Sequence, residues 1–379
     1  MKRLILLVII YVEFCTLSFS QQNDLKLDSI LLFTKVNDSI STYYKLVYKA
    51  EKYIMRGNYK KAAETYEKAF TYIEVPFIAD LGRARKCEMD SRKNEECIKK
   101  YIYFSIRKTG LKNGYLTNEE LQKLVTWPEI KEMIDTLTSL NDTAIVNELE
   151  RIIFIDQDYR RQCREKYNGN TYNDYTRDSI AKIDSINYWQ IYNMFENIEY
   201  VAEEVIGYRG WGTIHVVLMH NRQRKAIYEL LIKSVFAGKL DARLFCKSLD
   251  DSHYKFENKY AVGGMAFGFC VSDDCYMFMK PSFIERLKIN EYREKLFVES
   301  ISDFHKKMIW QMRNKDSDFF FYVNLMLYLD ESSLCNLIAN GIFNNHKNKN
   351  VKLFYSSEDT KKTLESNAKK WAVEQNKLQ

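Results

Sequence analysis

The sequence predicts a mainly helical fold, and three observations carry that prediction. Small and aromatic residues recur at helical spacing across residues 41–72. Two later stretches, Thr143 to Tyr167 and Asp174 to Glu199, carry apolar stripes with the period of an α-helix. Ile214 to Met219 is apolar on nearly every side, as a buried helix requires. Composition agrees: of 379 residues 46% are apolar and 14% aromatic, enough for a real core rather than a disordered chain, with room for two or three domains. The 57 basic and 51 acidic residues are interspersed, for a net charge of +6, which is too mixed to argue for nucleic acid.

Taken in order, residues 1–20 read as a secretory signal peptide. Lys2 and Arg3 form its basic end, and Leu4 to Val12 is an apolar run too short to span a bilayer. Ser18-Phe19-Ser20 supplies small residues around a cleavage point. Cys15 follows Val12-Glu13-Phe14, which lacks the small residues of a lipid-attachment signal, so no lipid anchor is expected. No later stretch has 18 consecutive apolar residues, so no transmembrane segment is expected. The expected destination is the periplasm or the medium.

Residues 21–40 are polar. In residues 41–104, Leu46, Ala50 and Tyr53 line one helix, Gly57-Asn58-Tyr59 makes a turn, and Ala62, Tyr66 and Ala69 line the next. Small residues let two antiparallel helices approach closely while the aromatics fill the groove. This pattern resembles a tetratricopeptide repeat. A weaker copy follows at an offset of 35, mapping Leu46 to Leu81, Ala62 to Cys97 and Tyr66 to Tyr101. Two repeats are fewer than the three such arrays usually need, so the pair is expected to dock on this chain or on a protein or peptide partner.

Residues 105–142 read as a connector with turn signals at Thr109-Gly110 and Asn113-Gly114, and 143–304 as a helical central domain. Its first helix has the stripe Ile145, Leu149, Ile152, then Asp156 where another apolar residue belongs; Cys163 resumes the phase. A carboxylate there needs a partner, and Arg160 lies one turn on. The next helix repeats the anomaly: Asn187 sits inside the stripe Ile180, Ile183, Ile191, Met194, with Asp184 beside it. The two helices either share a buried polar network or carry separate local hydrogen bonds. Gly207, Gly210 and Gly212 read as a loop, in an order unlike a dinucleotide fingerprint. His220 closes the following apolar run. It lies five residues from His215, the wrong spacing for a helical zinc pair, so neither a metal nor a cofactor is expected.

Asn258 to Met279 reads as a small β-hairpin region, and Asn290 to Arg293 as a helix start. Cys270 and Cys275 bracket a turn-like segment, as a hairpin-closing disulfide or as two buried thiols. Residues 305–379 read as an α+β extension.

From about Asp156 to Phe304 the chain resembles an uncharacterised bacterial family, domain of unknown function 6624, common in exported proteins. The matching positions are Asp156-Gln157 with Arg160 or Arg161, Asp184 and Asn187 three apart, Ile206-Gly207, His220, Asp250-Asp251, Tyr260-Ala261 and Arg293. The family's arginine after the aspartate and its glycine after the tyrosine are replaced here. The resemblance implies a shared polar site built on those positions and names no chemistry.

Two functions follow. The leading one is an exported protein-interaction module working through residues 41–104. The alternative is an exported hydrolase-like enzyme in which His220 is the acid or base, Asp156 or Asp250 orients it, and Arg160 holds an anionic substrate, with Gln157, Asp184, Asn187 and Tyr260 as binding candidates.

Overall fold

The computed structural model of the chain describes residues 37–109, 143–166, 174–221, 225–251, 270–271, 275–279, 283–314 and 351–355, with isolated positions at 128, 317–321 and 358–367. Residues 1–20, expected to be a signal peptide, the expected connector after Thr109, and Tyr260 lie outside the described residues, as does the expected extension beyond Asn314 apart from those short pieces. The described chain is mainly helical.

Helix α1 (Asp38–Ile54) starts where the Asn37 side chain accepts from the Ser39 N–H at 3.0 Å. Its buried positions Tyr43, Val47, Ala50 and Ile54 keep the helical period. Gly57, at φ +69°, reverses the chain, and Asn58 caps α2 (Tyr59–Ala69), whose Ala62, Ala63, Tyr66 and Ala69 are buried. Then come α3 (Ile78–Cys87), a π-helical turn over Glu88–Arg92, and α4 (Glu95–Thr109). The helix thus continues past residue 105, where a connector was expected to begin.

The central helices are α5 (Thr143–Lys166), α6 (Asp174–Phe195), α7 (Glu203–His220), α8 (Lys225–Phe236) and α9 (Ala242–Asp251). The three glycines expected to form a loop lie inside α7 instead. Only Gly207 departs from helical geometry, at φ 63° and ψ 174°, and it kinks the helix. Gly210 is needed for contact: a Cβ there would stand 2.9 Å from Leu149 Cδ1 of α5 and 3.2 Å from Ile206 Cβ. Glycine therefore trades helix propensity for a close crossing of α5 and α7, the two helices that carry the site described below.

Strand β1 (Cys270–Val271) pairs antiparallel with β2 (Cys275–Met279), which pairs antiparallel with β3 (Val351–Tyr355). The register sets Cys270 opposite Tyr276 and Cys275 opposite Val271, so the two cysteines are not cross-strand partners; their side chains lie outside the description. Among the described residues Cys87, Cys97 and Cys163 are free thiols. Helices α10 (Phe283–Lys295) and α11 (Ile301–Arg313) follow, so Asn290 to Arg293 sits inside α10 rather than starting it.

Among the described residues an apolar cluster runs from α1 into the central helices and the residues just after α10. The N-terminal pair is docked on its own chain. The Tyr44 ring stacks on Phe297 at 6.0 Å, Tyr48 Oη donates to the Phe297 carbonyl at 3.1 Å, and Trp310 Nε1 donates to the Met55 carbonyl at 3.0 Å. Gly238 belongs to the same seam. It has φ +68°, and a Cβ would stand 2.1 Å from Ile40 Cδ1. Gly238→Ala should therefore cost about 1–3 kcal/mol in urea denaturation, since left-handed backbone and overpacking act together. Gly57→Ala, also at positive φ but with nothing within 4 Å, should cost less. Equal losses would show that Ile40 yields freely.

Behind this seam lies a buried ionic network. Arg243 grips Asp80 with two bonds of 2.8 and 2.7 Å and also holds Asp241 at 2.6 Å. Arg83 bonds Asp80 at 2.6 Å and lies 3.2 Å from Glu51, and Lys307 bonds Glu51 and lies 2.6 Å from Glu299. Tyr43 Oη donates to Asp80 at 2.6 Å, while Tyr44 Oη donates to Asp241 at 3.2 Å and accepts from the Ala242 N–H at 2.8 Å. Burial alone would raise the Asp80 carboxyl, but Arg243, Arg83 and the Tyr43 hydroxyl outweigh it and hold the pKa down to about 2.

Candidate functional site

The polar interruptions of the apolar stripes meet at one place, where α5, α6 and the C-terminal end of α7 pack together. Helical phase turns Asp156 inward, and its side chain is 1% exposed. Four donors surround it. Gln157 Nε2 at 2.7 Å and Arg160 Nε at 3.3 Å reach Oδ2. Asn187 Nδ2 at 3.2 Å and His220 Nδ1 at 3.3 Å reach Oδ1. Asp184, from α6, bonds the Arg160 guanidinium and lies 3.8 Å from His220 Nδ1. Arg160 and His220 are each 22% exposed, so the cluster is sealed at Asp156 and open to solvent at its other end.

The two carboxylates are driven apart. Burial works to raise Asp156, but its bond and charge interaction with His220 and the Arg160 guanidinium outweigh that and hold it below the usual range. At Asp184 burial dominates and lifts the carboxyl above its ordinary value, with Arg160 and His220 offsetting only part. Paired carboxylates whose environments separate them are a pattern found at acid–base sites.

An acceptor carboxylate at Nδ1 selects the imidazole tautomer that carries its proton there, which leaves Nε2 as the basic nitrogen. Among the described residues Nε2 makes no hydrogen bond. Arg160, expected to hold an anionic substrate, instead lies between two carboxylates. Arg161 is on the exposed side of α5, paired with Asp158 and with Glu165 at 3.1 Å, so Arg160 is the arginine of the cluster.

The remaining candidates stand elsewhere. Asp250 is in the last turn of α9 with its side chain outside the description, and Tyr260 is undescribed. Arg293 is buried in α10, where its Nε donates to the Glu299 carbonyl at 2.5 Å. Sequence reasoning passed over Asn221. Its Nδ2 donates to the Asp184 carbonyl at 2.8 Å and to the Val217 carbonyl at 3.0 Å, which ties the end of α7, and with it His220, to α6. An asparagine directly after a helix is the available signal. It also passed over the buried pair of His215 Nδ1 and Ser248 Oγ at 2.8 Å, which joins α7 to α9.

Two groups among the described residues have the atoms to hold a metal ion. Asp156, Asp184 and His220 offer three ligand atoms within 4.8 Å of one another, as do Glu67, Glu88 and Cys97. In the second group Arg92 engages both Glu88 oxygens as well as Glu67, and Glu67 is largely exposed. No protein-family model, curated protein or solved structure matches this chain.

Proposed function

We propose that this protein is an exported hydrolase-like enzyme whose acid–base group is His220. The observation that carries the reading is the grip of buried Asp156 on His220 Nδ1 at 3.3 Å, which leaves Nε2 to work. In this reading Nε2 takes a proton from an attacking water and later returns it to the leaving group. Asp156 stabilises the imidazolium formed in between, as a carboxylate bonded to the far nitrogen does in hydrolytic triads. Arg160 keeps Asp156 ionised, and Gln157 and Asn187 fix its two oxygens. With its charge met by two carboxylates, Arg160 is a poor anion holder, so the reading favours a neutral or cationic substrate.

Export rests on Lys2, Arg3, the run Leu4 to Val12 and Ser18-Phe19-Ser20. The resemblance to domain of unknown function 6624 supports the same positions, since Asp156, Gln157, Arg160, Asp184, Asn187 and His220 are all drawn into one cluster. Residues 41–104 serve here as a tetratricopeptide-like brace. Tyr44 and Tyr48 of its first helix are buried and bond this chain's own Asp241, beside α9, and the Phe297 carbonyl, between α10 and α11. That burial supports docking in cis over a protein-interaction module.

A panel of chromogenic esters, amides and glycosides tests the reading. Turnover of at least one substrate is expected, with His220→Gln lowering it by about 10²–10⁴-fold at unchanged melting temperature. Wild-type protein inert on the whole panel, or a His220→Gln variant as active as wild type, overturns it.

A further inference from the structure

We propose that Asp156, Asp184 and His220 also form a binding site for a zinc-like divalent ion, which displaces Arg160 from Asp184 and silences His220 as a base. Binding stands on the geometry alone; the silencing rests on the acid–base reading above.

The donor set is one imidazole nitrogen and two carboxylate oxygens, each from a different helix, so packing rather than loop flexibility sets their spacing. Metal bonds of about 2.0–2.2 Å place neighbouring ligand atoms roughly 3.0–3.5 Å apart at right or tetrahedral angles. His220 Nδ1 lies 3.3 Å from Asp156 Oδ1 and 3.8 Å from Asp184 Oδ1, close to that spacing, and the three ligand atoms lie within 4.8 Å of one another. An outer shell is in place as well. Gln157 and Asn187 orient Asp156, and Asn221 ties the backbone of Asp184 to the end of α7.

Arg160 is the second observation. Its guanidinium already supplies positive charge at Asp184 Oδ1, the same oxygen that faces His220 Nδ1. This internal cation bears one charge for two carboxylates, and its side chain is 22% exposed at the rim. A divalent ion would bring twice the charge to the same oxygens, and the long arginine side chain can swing into water without moving α5. The nitrogen donor and the small number of ligands favour a borderline ion such as Zn²⁺ or Co²⁺ over Ca²⁺ or Mg²⁺, which seek six or more oxygens or water. With the ion on Nδ1, the imidazole proton moves to Nε2, and that nitrogen can no longer accept one.

The test uses the full-length protein, stripped with a chelator and titrated with Co²⁺ by visible absorbance, then with Zn²⁺ in competition. Wild type is expected to take up one Co²⁺ that Zn²⁺ displaces. Asp184→Asn, which is isosteric, and His220→Gln should each weaken binding roughly tenfold or more. Arg160→Met should tighten it by a similar factor, because the competing cation is gone. Binding that survives Asp184→Asn or His220→Gln, or that Arg160→Met leaves unchanged or weakens, overturns the site. Since no substrate is needed, this outcome is independent of whether the enzyme reading holds. If the ion binds as expected but raises turnover, the site stands and the silencing falls.

Discussion

Arg243→Leu should be strongly destabilising, costing about 3–5 kcal/mol in urea denaturation. Arg243 is held between two fully buried carboxylates, with two bonds to Asp80 and further bonds to Asp241, and its ring-facing contact covers Tyr44 at 5.7 Å. Removing it leaves two desolvated charges short of their main partner. Asp80 keeps only Arg83 and the Tyr43 hydroxyl, and Asp241 keeps Tyr44 and the Arg243 backbone N–H. The cost is that of an uncompensated buried charge rather than the worth of an ion pair. A surface pair provides the contrast. Arg151 and Glu148 meet at 2.5 Å on α5 with side chains 45% and 38% exposed, and Arg151→Ala should cost at most about 1 kcal/mol. If the two variants melt alike, the buried network contributes nothing that a solvated pair does not.

The second large effect is acid sensitivity. The folded Asp80 carboxyl sits at about 2 against an ordinary 3.8. Its folded value is depressed, so the unfolded chain takes up the proton first as pH falls. The stabilisation is present in full above about 3.8 and is lost between there and about 2. At roughly 1.36 kcal/mol per unit, it amounts to about 2 kcal/mol. Glu203 and Glu299 act with the opposite sign. Burial raises both, with Lys108 and Lys307 respectively offsetting part, so each favours folding more as acid protonates it above the ordinary value of 4.5. Unfolding free energy should therefore hold or rise slightly on acidification towards 4.5 and then drop steeply below 3.8. Urea titrations at stepped pH check this, and a steady decline beginning near neutrality would contradict it.

The parts of the site that the sequence makes legible are those tied to helical phase. Asp156 and Asn187 stand out because each interrupts an apolar stripe, and Arg160 because it lies one turn from Asp156. His220 stands out because it ends an apolar run. What phase cannot show is that these residues, drawn from three helices, face one another, or that Asn221 fastens the third helix to the second. Nor does it show that Arg160 is spent on two carboxylates.

The glycines of α7 show why local signals mislead. Glycine is a poor helix former by about 1 kcal/mol against alanine, so Gly207, Gly210 and Gly212 read as a loop. The close approach of Leu149 to Gly210 outweighs that preference, and the contact belongs to a different helix.

Helix content and the inward faces of α2 and α5 follow from the sequence alone, because an α-helix repeats every 3.6 residues and its apolar stripe is a property of neighbouring positions, whereas α1 buries Tyr43, Val47 and Ile54 beside Ala50 and leaves the expected Leu46 and Tyr53 half-buried. Asp80, Arg83, Asp241 and Arg243 look like ordinary surface charges in the sequence. Only the tertiary structure decides otherwise, by bringing Asp80 and Arg243 together across 163 residues. A buried charge persists only beside a partner, and packing chooses that partner without regard to distance along the chain.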